Sequence, residues 1–412
     1  MEIKLPRLKA QTIQRQLFID YWQELHNAKE SEKKVAWVSG MSPSELLSAM
    51  DFLIIYPMNH SATCGAAGVA TVLCEISEQN GYSPDLCGYQ RCDIGSALMG
   101  EQTLSPVRPP RPDLMLVTSN QQCHQIFKWF ENISRIYDVP LIMVDVPFLD
   151  DTATKDDELS ALKYVKEQLQ EFIYFLEGFT KRRYNYDRLQ ECMAYASAAY
   201  DLWYEGLFNA AKNIPSPIST FDLFIHLGPM LYLRSRPEAV DYYRNLKDEV
   251  LERVANGQGA VPDEKFRLFL NGMNWMKIPS LAKLCASYNA CMVTGIYPLL
   301  FTLKGGDISR PVETMAKSAI NSLLNRGLQT RINAVENLVR DFAIDGIIAP
   351  TIRGCKPISS FQLETMREVE RLTGVPNLEF ETCMVDTRYH SDAQVEVRIQ
   401  AFMELLENRA KK

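Results

Sequence analysis

The sequence predicts an α/β fold built from two α/β units with short parallel sheets, joined by a helical segment. Three observations carry that reading: short apolar runs bounded by Gly, Pro or Asn occur in both halves of the 412-residue chain, helical patterns separate them, and a long amphipathic stretch lies between the two groups. A strand covered on both faces reads as a nearly continuous apolar run, which is what parallel sheets flanked by helices require. A chain of 412 residues exceeds one ordinary core, so two domains are expected, residues 1–200 and 201–412. The first takes the N-terminal helices and the first α/β unit with its following helices. The second takes the helical connection and the other α/β unit.

In chain order, the first unit offers strands in "VAWVSG" from Val35, "FLIIYP" from Phe52, "DLMLVTS" from Asp113 and "PLIMVDVP" from Pro140. From about residue 156 to 256, apolar residues at helical spacing in "ALKYVKEQLQEFIYFLEGF" and "YASAAYDLWYEGLF" predict packed amphipathic helices. The second unit offers "FRLFLNG" from Phe266, "CMVTGIYP" from Cys291, "DGIIAPT" from Asp345 and "NLEFET" from Asn377. An internal echo links the units: ten positions separate Asp113 from Cys123, and ten separate Asp345 from Cys355. Each cysteine follows a strand and precedes a helix pattern. Open α/β sheets bind ligands at the carboxyl ends of their strands, and a helix N-terminus draws a thiol towards thiolate.

The net charge of −7 is spread along the chain with no basic block, which argues against nucleic acid as a partner. No segment approaches the apolar length that spans a bilayer, and "MEIKLPRLKAQTIQRQLFID" lacks a signal-like apolar core, so a cytoplasmic protein is expected. Ten cysteines in such a compartment are core residues or ligands rather than a disulfide framework. Cys74, Cys192, Cys285, Cys291 and Cys383 sit in apolar or amphipathic runs and are expected in the core, with Cys64 and Cys92 closer to the line. Cys87 lies in "NGYSPDLCGYQRCDIG", which Gly81, Pro84 and Gly88 mark as a turn-rich loop. No CxxC occurs, so any cluster must be assembled from loops distant in sequence, and a closed zinc site is disfavoured.

"GYSPDLCGY", "NQQCHQIFKWFENI", "IRGCKPISSFQLETMREVERLTGVP" and the C-terminal "VDTRYHSDAQVEVRIQAF" together resemble the family that joins 2-hydroxyacyl-CoA dehydratases to ATP-dependent benzoyl-CoA reductases. The likeness is to the larger catalytic subunit and runs from "VAWVSG" to the end, including "PSPISTFDLFIHLGPM" from Pro215. It implies two Rossmann-like domains with a 4Fe-4S cluster in the cleft between them, held by Cys87, Cys123 and Cys355. Three protein ligands leave one iron open, in the dehydratases for water and then for the thioester carbonyl oxygen. The resemblance further implies a smaller homologous subunit, an acyl-CoA substrate and a separate ATP-dependent iron-sulfur activator protein that injects one low-potential electron. The thioester then becomes a ketyl radical anion from which hydroxide departs. The reductases spend the same electrons on an aromatic ring.

One departure bears on the chemistry. Dehydratase subunits of this kind show Tyr-Pro-Glu-Asn after the second strand, where this chain reads "YPMNHSATCG", with Met58 in the acid's place. A thioether moves no proton, so ordinary dehydration needs another acid or base. His60 is the candidate catalytic residue, with a hydrogen-bonded loop histidine as the bland alternative. Ser39 and Ser42 lie near the family's active-site hydroxyl, but Gly40 takes the aligned position, and neither serine is assigned. His124 adjoins a candidate ligand; Trp129 and Phe130 are expected to pack their helix on the sheet. Lys33, Lys34, Arg108 and Arg111 are candidate contacts for CoA phosphates, with surface charge as the alternative. A noncatalytic electron-transfer protein is a further alternative, but double-cubane relatives continue the central cysteine as Asp-Gly-Lys-Lys, and here "CHQIFKW" follows Cys123.

Overall fold

A computed structural model describes residues 7–119, 123, 125–273, 277–301 and 306–411. Eight strands form where the apolar runs predict them: β1 (Val35–Val38), β2 (Leu53–Ile55), β3 (Leu114–Thr118), β4 (Leu141–Val144), β5 (Phe266–Leu270), β6 (Ala290–Gly295), β7 (Gly346–Ile352) and β8 (Asn377–Thr382). They assemble into two four-stranded parallel sheets of order β2-β1-β3-β4 and β6-β5-β7-β8. The two orders are the same once the second sheet is counted from its own first strand. β1, β3, β5 and β6 are buried along their whole length, whereas the edge strands β4 and β8 are partly open, which matches their more mixed sequences.

The echo extends to side chains. Asp113 Oδ2 accepts the Val35 N–H at the start of β1, at 2.8 Å, and Asp345 Oδ2 accepts the Arg267 N–H in β5, also at 2.8 Å. Each aspartate thus ties the third strand of its sheet to the first, just ahead of the run that ends in Cys123 or Cys355.

Between the sheets run the helices Lys155–Thr180, Tyr186–Trp203 and Pro237–Ala255, with shorter turns between the last two. Thr154 starts the first of these with a capping box to Asp157, and Leu169, Phe172, Ile173 and Leu176 form its buried stripe. Each such side chain fully buried contributes roughly 1.5–3 kcal/mol. Residue 200 falls in the last turn of Tyr186–Trp203, so the connection is continuous helix at that point. No helix among the described residues is long and apolar enough to cross a membrane.

The two halves are fastened to each other by buried charge. Arg91, on the Gly88–Met99 helix of the first half, meets Asp386 of the second at 2.8 Å, both side chains being shut off from water. Glu78 accepts from Arg91 at 2.5 Å and from Arg388 at 2.6 Å, and Arg388 also reaches Asp386 at 2.7 Å. A second junction is the bridge of Leu149 to Arg326, where the Leu149 N–H donates to the Asn325 carbonyl at 3.1 Å.

Candidate functional site

Each of the three singled-out thiols stands at the start of a helix. Cys87 is the residue before the Gly88–Met99 helix, Cys355 the residue before the short Lys356–Ser359 helix, and Cys123 lies just ahead of the Ile126–Tyr137 helix. The Gln125 N–H donates to Cys123 Sγ at 3.3 Å. The stretch around Cys87 is therefore less loop than its sequence suggests, because the helix begins at once with Gly88. Gly88 lets the chain pass close to Cys383: a Cβ on it would lie 2.9 Å from Cys383 Sγ, which would then have to shift.

All three cysteines line one cavity of about 60 Å³. Its wall is drawn from the loops that leave the carboxyl ends of seven of the eight strands: Met41 after β1, Met58 after β2, Cys123 after β3, Met273 after β5, Tyr297 and Leu300 after β6, Gly354 and Cys355 after β7, and Met384 after β8. Carboxyl ends are where open α/β sheets leave loops free to converge on a ligand. Direct contact joins the thiol loops. Gly354 has φ +78°, and a Cβ on it would lie 2.8 Å from the Leu86 carbonyl oxygen and 3.1 Å from Cys87 Cα. Only glycine fits both the backbone angle and the approach.

The electrostatics of the cavity disfavour free thiolates. Burial pushes Cys87 well above the usual thiol range, and the nearby Cys355 and Cys123 sulfurs push it further. Burial and then Cys123 push Cys355 up to about 12. Burial raises Cys123 as well, against the N–H groups of Gln125 and Ile126. Four polar atoms on this wall, Tyr89 Oη, Gln90 Oε1, Gln125 Oε1 and Trp129 Nε1, are buried with no hydrogen-bond partner among the described residues. Trp129 is buried on its helix, as expected, and also lines the thiol cavity, which its sequence context did not signal. Met58, in the acid's position, is on the same wall. Among the described residues no three His, Cys, Asp or Glu side chains gather as the ligands of a single metal ion.

His60 sits elsewhere. It is buried in the Pro57–Ala66 helix, with Nδ1 joined to Asp93 Oδ1 at 2.6 Å and Nε2 to Ser105 Oγ at 2.8 Å. Burial works against its charged form, but the hydrogen bond and charge of Asp93 prevail and hold its pKa up to about 10. Both ring nitrogens are engaged, and the residue is not on the thiol cavity's wall. The Cys64 thiol, 3.5 Å from His60 Nε2, belongs to the same buried network. Cys74, Cys192, Cys285, Cys291 and Cys383 are fully buried, and Cys92 joins them within the Gly88–Met99 helix. His124 lies outside the described residues.

A second cavity of about 600 Å³ adjoins the first, and Met41 and Leu300 line both. Besides Ser42, its wall carries polar groups that the sequence did not single out. Arg234 Nε donates to Glu45 Oε1 at 2.5 Å, while Glu45 Oε2 is buried with no partner among the described residues. The hydroxyls of Ser42 and Thr118 meet at 2.6 Å, and Ser39 Oγ is 2.5 Å from Ser42 Oγ. Arg310 and Lys317 stand on the same wall, whereas Lys33, Lys34, Arg108 and Arg111 line neither cavity. Glu45 and Arg234 are 189 positions apart, and no local pattern pairs residues over that distance.

The family described as 2-hydroxyglutaryl-CoA dehydratase, D-component, matches residues 40–406. The chain is 30% identical over 407 residues to the (R)-2-hydroxyisocaproyl-CoA dehydratase alpha subunit of Clostridioides difficile, covering 98% of this chain and 97% of that one. It is 29% identical to the (R)-phenyllactyl-CoA dehydratase alpha subunit of Clostridium sporogenes, with 92% and 91% covered. It is 30% identical to a subunit of the benzoyl-CoA reductase of Thauera aromatica, with 96% and 94% covered. With most of its length matched, the chain is a member of the 2-hydroxyglutaryl-CoA dehydratase D-component family.

Proposed function

We propose that the chain is the larger catalytic subunit of an enzyme that delivers single low-potential electrons to an acyl-CoA thioester, as in the dehydration of (R)-2-hydroxyacyl-CoA to enoyl-CoA. The observation that carries the proposal is the convergence of Cys87, Cys123 and Cys355 on one cavity. These three thiols would hold a 4Fe-4S cluster in the cleft between the two halves. The donor set suits it. Three thiols that resist ionising alone, Cys87 buried and Cys123 and Cys355 partly so, would be deprotonated by a shared cationic core. Trp129 Nε1–H and Tyr89 O–H offer hydrogen-bond donors to whatever fills the cavity. Such a cluster would supply a low-potential electron and a Lewis-acidic iron.

The remaining work falls to side chains. The 600 Å³ cavity is of the size that takes a small-molecule ligand, and its position beside the thiols suits an acyl group presenting its thioester to them. Arg310 and Lys317 share one carboxylate, Glu313, on the same wall, and the pair of cations leaves a net positive charge for an anionic CoA moiety. Glu45, the fully buried carboxylate on that wall, offers an acceptor that Met58 does not. In dehydration the electron enters the thioester and returns after hydroxide and a proton have left, so the elements of water depart with no net redox change. The methionine-rich and aromatic wall around the thiols, with Met41, Met58, Met273, Met384, Trp129 and Tyr297, favours a second reading, a benzoyl-CoA-type ring reductase.

The proposed assembly includes a smaller homologous subunit and an ATP-dependent iron-sulfur activator protein. The test is anaerobic copurification with that subunit, iron and sulfide analysis, and turnover of a panel of 2-hydroxyacyl-CoA and aromatic acyl-CoA thioesters in the presence of activator and ATP. Turnover of a 2-hydroxyacyl-CoA supports dehydration and that of an aromatic thioester the second reading. Protein free of iron and sulfide would refute both.

A further inference from the structure

Arg331 lies in the Leu328–Asp341 helix and is 4% exposed. Its Nη1 and Nη2 donate to the carbonyls of Pro357 at 3.1 Å and Ile358 at 2.8 Å, in the segment that follows Cys355. Other buried arginines have carboxylates to neutralise them: Arg91 has Glu78 and Asp386, and Arg267 has Glu264. Arg253 binds two carbonyls but has Asp222 within electrostatic reach. Arg331 makes no ion pair with a carboxylate among the described residues. Burial pushes its pKa down to about 10, and the acidic group that works against this among the described residues is the Cys355 thiol. A buried guanidinium bound only to carbonyls is a costly arrangement unless an anion stands near it.

We infer that Arg331 is the fixed counter-charge of the thiolate-ligated cluster, set behind the Cys355 loop to stabilise the loaded protein and raise the cluster's reduction potential. The inference rests on the cluster reading above. Net charge near an iron-sulfur centre is one of the determinants of its potential, and a neighbouring cation favours the reduced, more negative form. Arg331 is a positioning residue: it lines neither cavity and touches the site through the chain that carries Cys355.

The test compares wild type, Arg331→Lys and Arg331→Met as the anaerobically prepared complex with the smaller subunit. Iron and sulfide content, the midpoint potential from an EPR-monitored redox titration, and melting temperatures of loaded and cluster-free protein are measured. The potential of Arg331→Met is expected to shift to more negative values, with Arg331→Lys staying near wild type. The stability order of the two variants is expected to reverse: methionine above lysine without cluster, lysine above methionine with it. An unchanged potential in fully loaded Arg331→Met, or equal shifts in both variants, would overturn the inference and leave Arg331 as a tether for the loop. If neither variant loads a cluster, the cluster-free order decides, and lysine melting above methionine overturns it. Wild type without iron would instead refute the cluster reading itself.

Discussion

Replacing Asp386 by Ala tests how the halves are held around the thiols. The Asp386 side chain is fully buried, with Oδ2 accepting from Arg91 Nη1 at 2.8 Å and Arg388 Nη2 at 2.7 Å, and Oδ1 from Arg388 Nε at 2.9 Å. Removing it leaves the Arg91 guanidinium, 1% exposed, with Glu78 as its remaining carboxylate. Stripping one partner from a buried ion pair costs roughly 3–5 kcal/mol. Because Glu78 stays, the lower end, about 3 kcal/mol, is expected. The assay is urea unfolding of the cluster-free chain followed by circular dichroism, with Arg182→Ala as control. Arg182 and Asp51 form a pair in which both side chains are more than half exposed, and its loss should cost under about 1 kcal/mol. Arg91 shares its helix with the residue that follows Cys87, so Asp386→Ala should also lower iron content. If Asp386→Ala and Arg182→Ala cost the same, the idea of a buried clamp between the halves is wrong.

Other consequences are open to measurement. Gly354→Ala sets a Cβ against the Leu86 carbonyl at a positive φ, so about 1–3 kcal/mol of strain and a marked loss of iron are expected; full iron content would show that the Cys87 and Cys355 loops need not touch. For pH, burial would raise the Asp386 pKa, but hydrogen bonds from Arg388 and Arg91 win and hold it below the ordinary value; Glu78 is likewise depressed, first by Arg388. A depressed carboxylate lends stability above its unfolded pKa and loses it as pH falls through the folded one. The contribution of these two carboxylates to the unfolding free energy should therefore be level above about pH 5 and fall below about pH 4, so the acid limb should be less steep in Asp386→Asn, and equal slopes would remove these groups from the account. Trp129→Phe removes a buried donor that has no partner among the described residues, so the cluster-free chain should stay within about 1 kcal/mol of wild type while the cluster's potential moves negative; an unmoved potential would mean the indole points at something else.

What the sequence made legible followed from local pattern. The eight strands stand where apolar runs between turn residues put them, most plainly β1, β3, β5 and β6, because strands covered on both faces leave no alternation to misread. The echo of Asp113 and Asp345 marked a true structural repeat, each carboxylate holding the first strand of its sheet. Cys87 was found in its loop, but the helix that starts at Gly88 was hidden by the glycine and by the turn residues before it. Long-range pairings left no trace. Arg91 and Asp386 lie 295 positions apart, and nothing periodic announces their union. Glu45 and Arg234 were invisible for the same reason, as was the link from Thr118 to Ser42, 76 positions away, although Ser39 and Ser42 themselves stood out in the sequence. His60 drew attention as the next proton-transfer residue after Met58, yet Asp93 and Ser105, which occupy its ring nitrogens, are 33 and 45 positions away.

The account stands on three thiols sharing one cluster, and the most direct measurement is iron and acid-labile sulfide per complex after anaerobic purification of wild type and of Cys87→Ser, Cys123→Ser and Cys355→Ser. Each substitution is expected to remove the same single cluster's worth of iron and sulfide. Undiminished iron in any one of the three variants would contradict it.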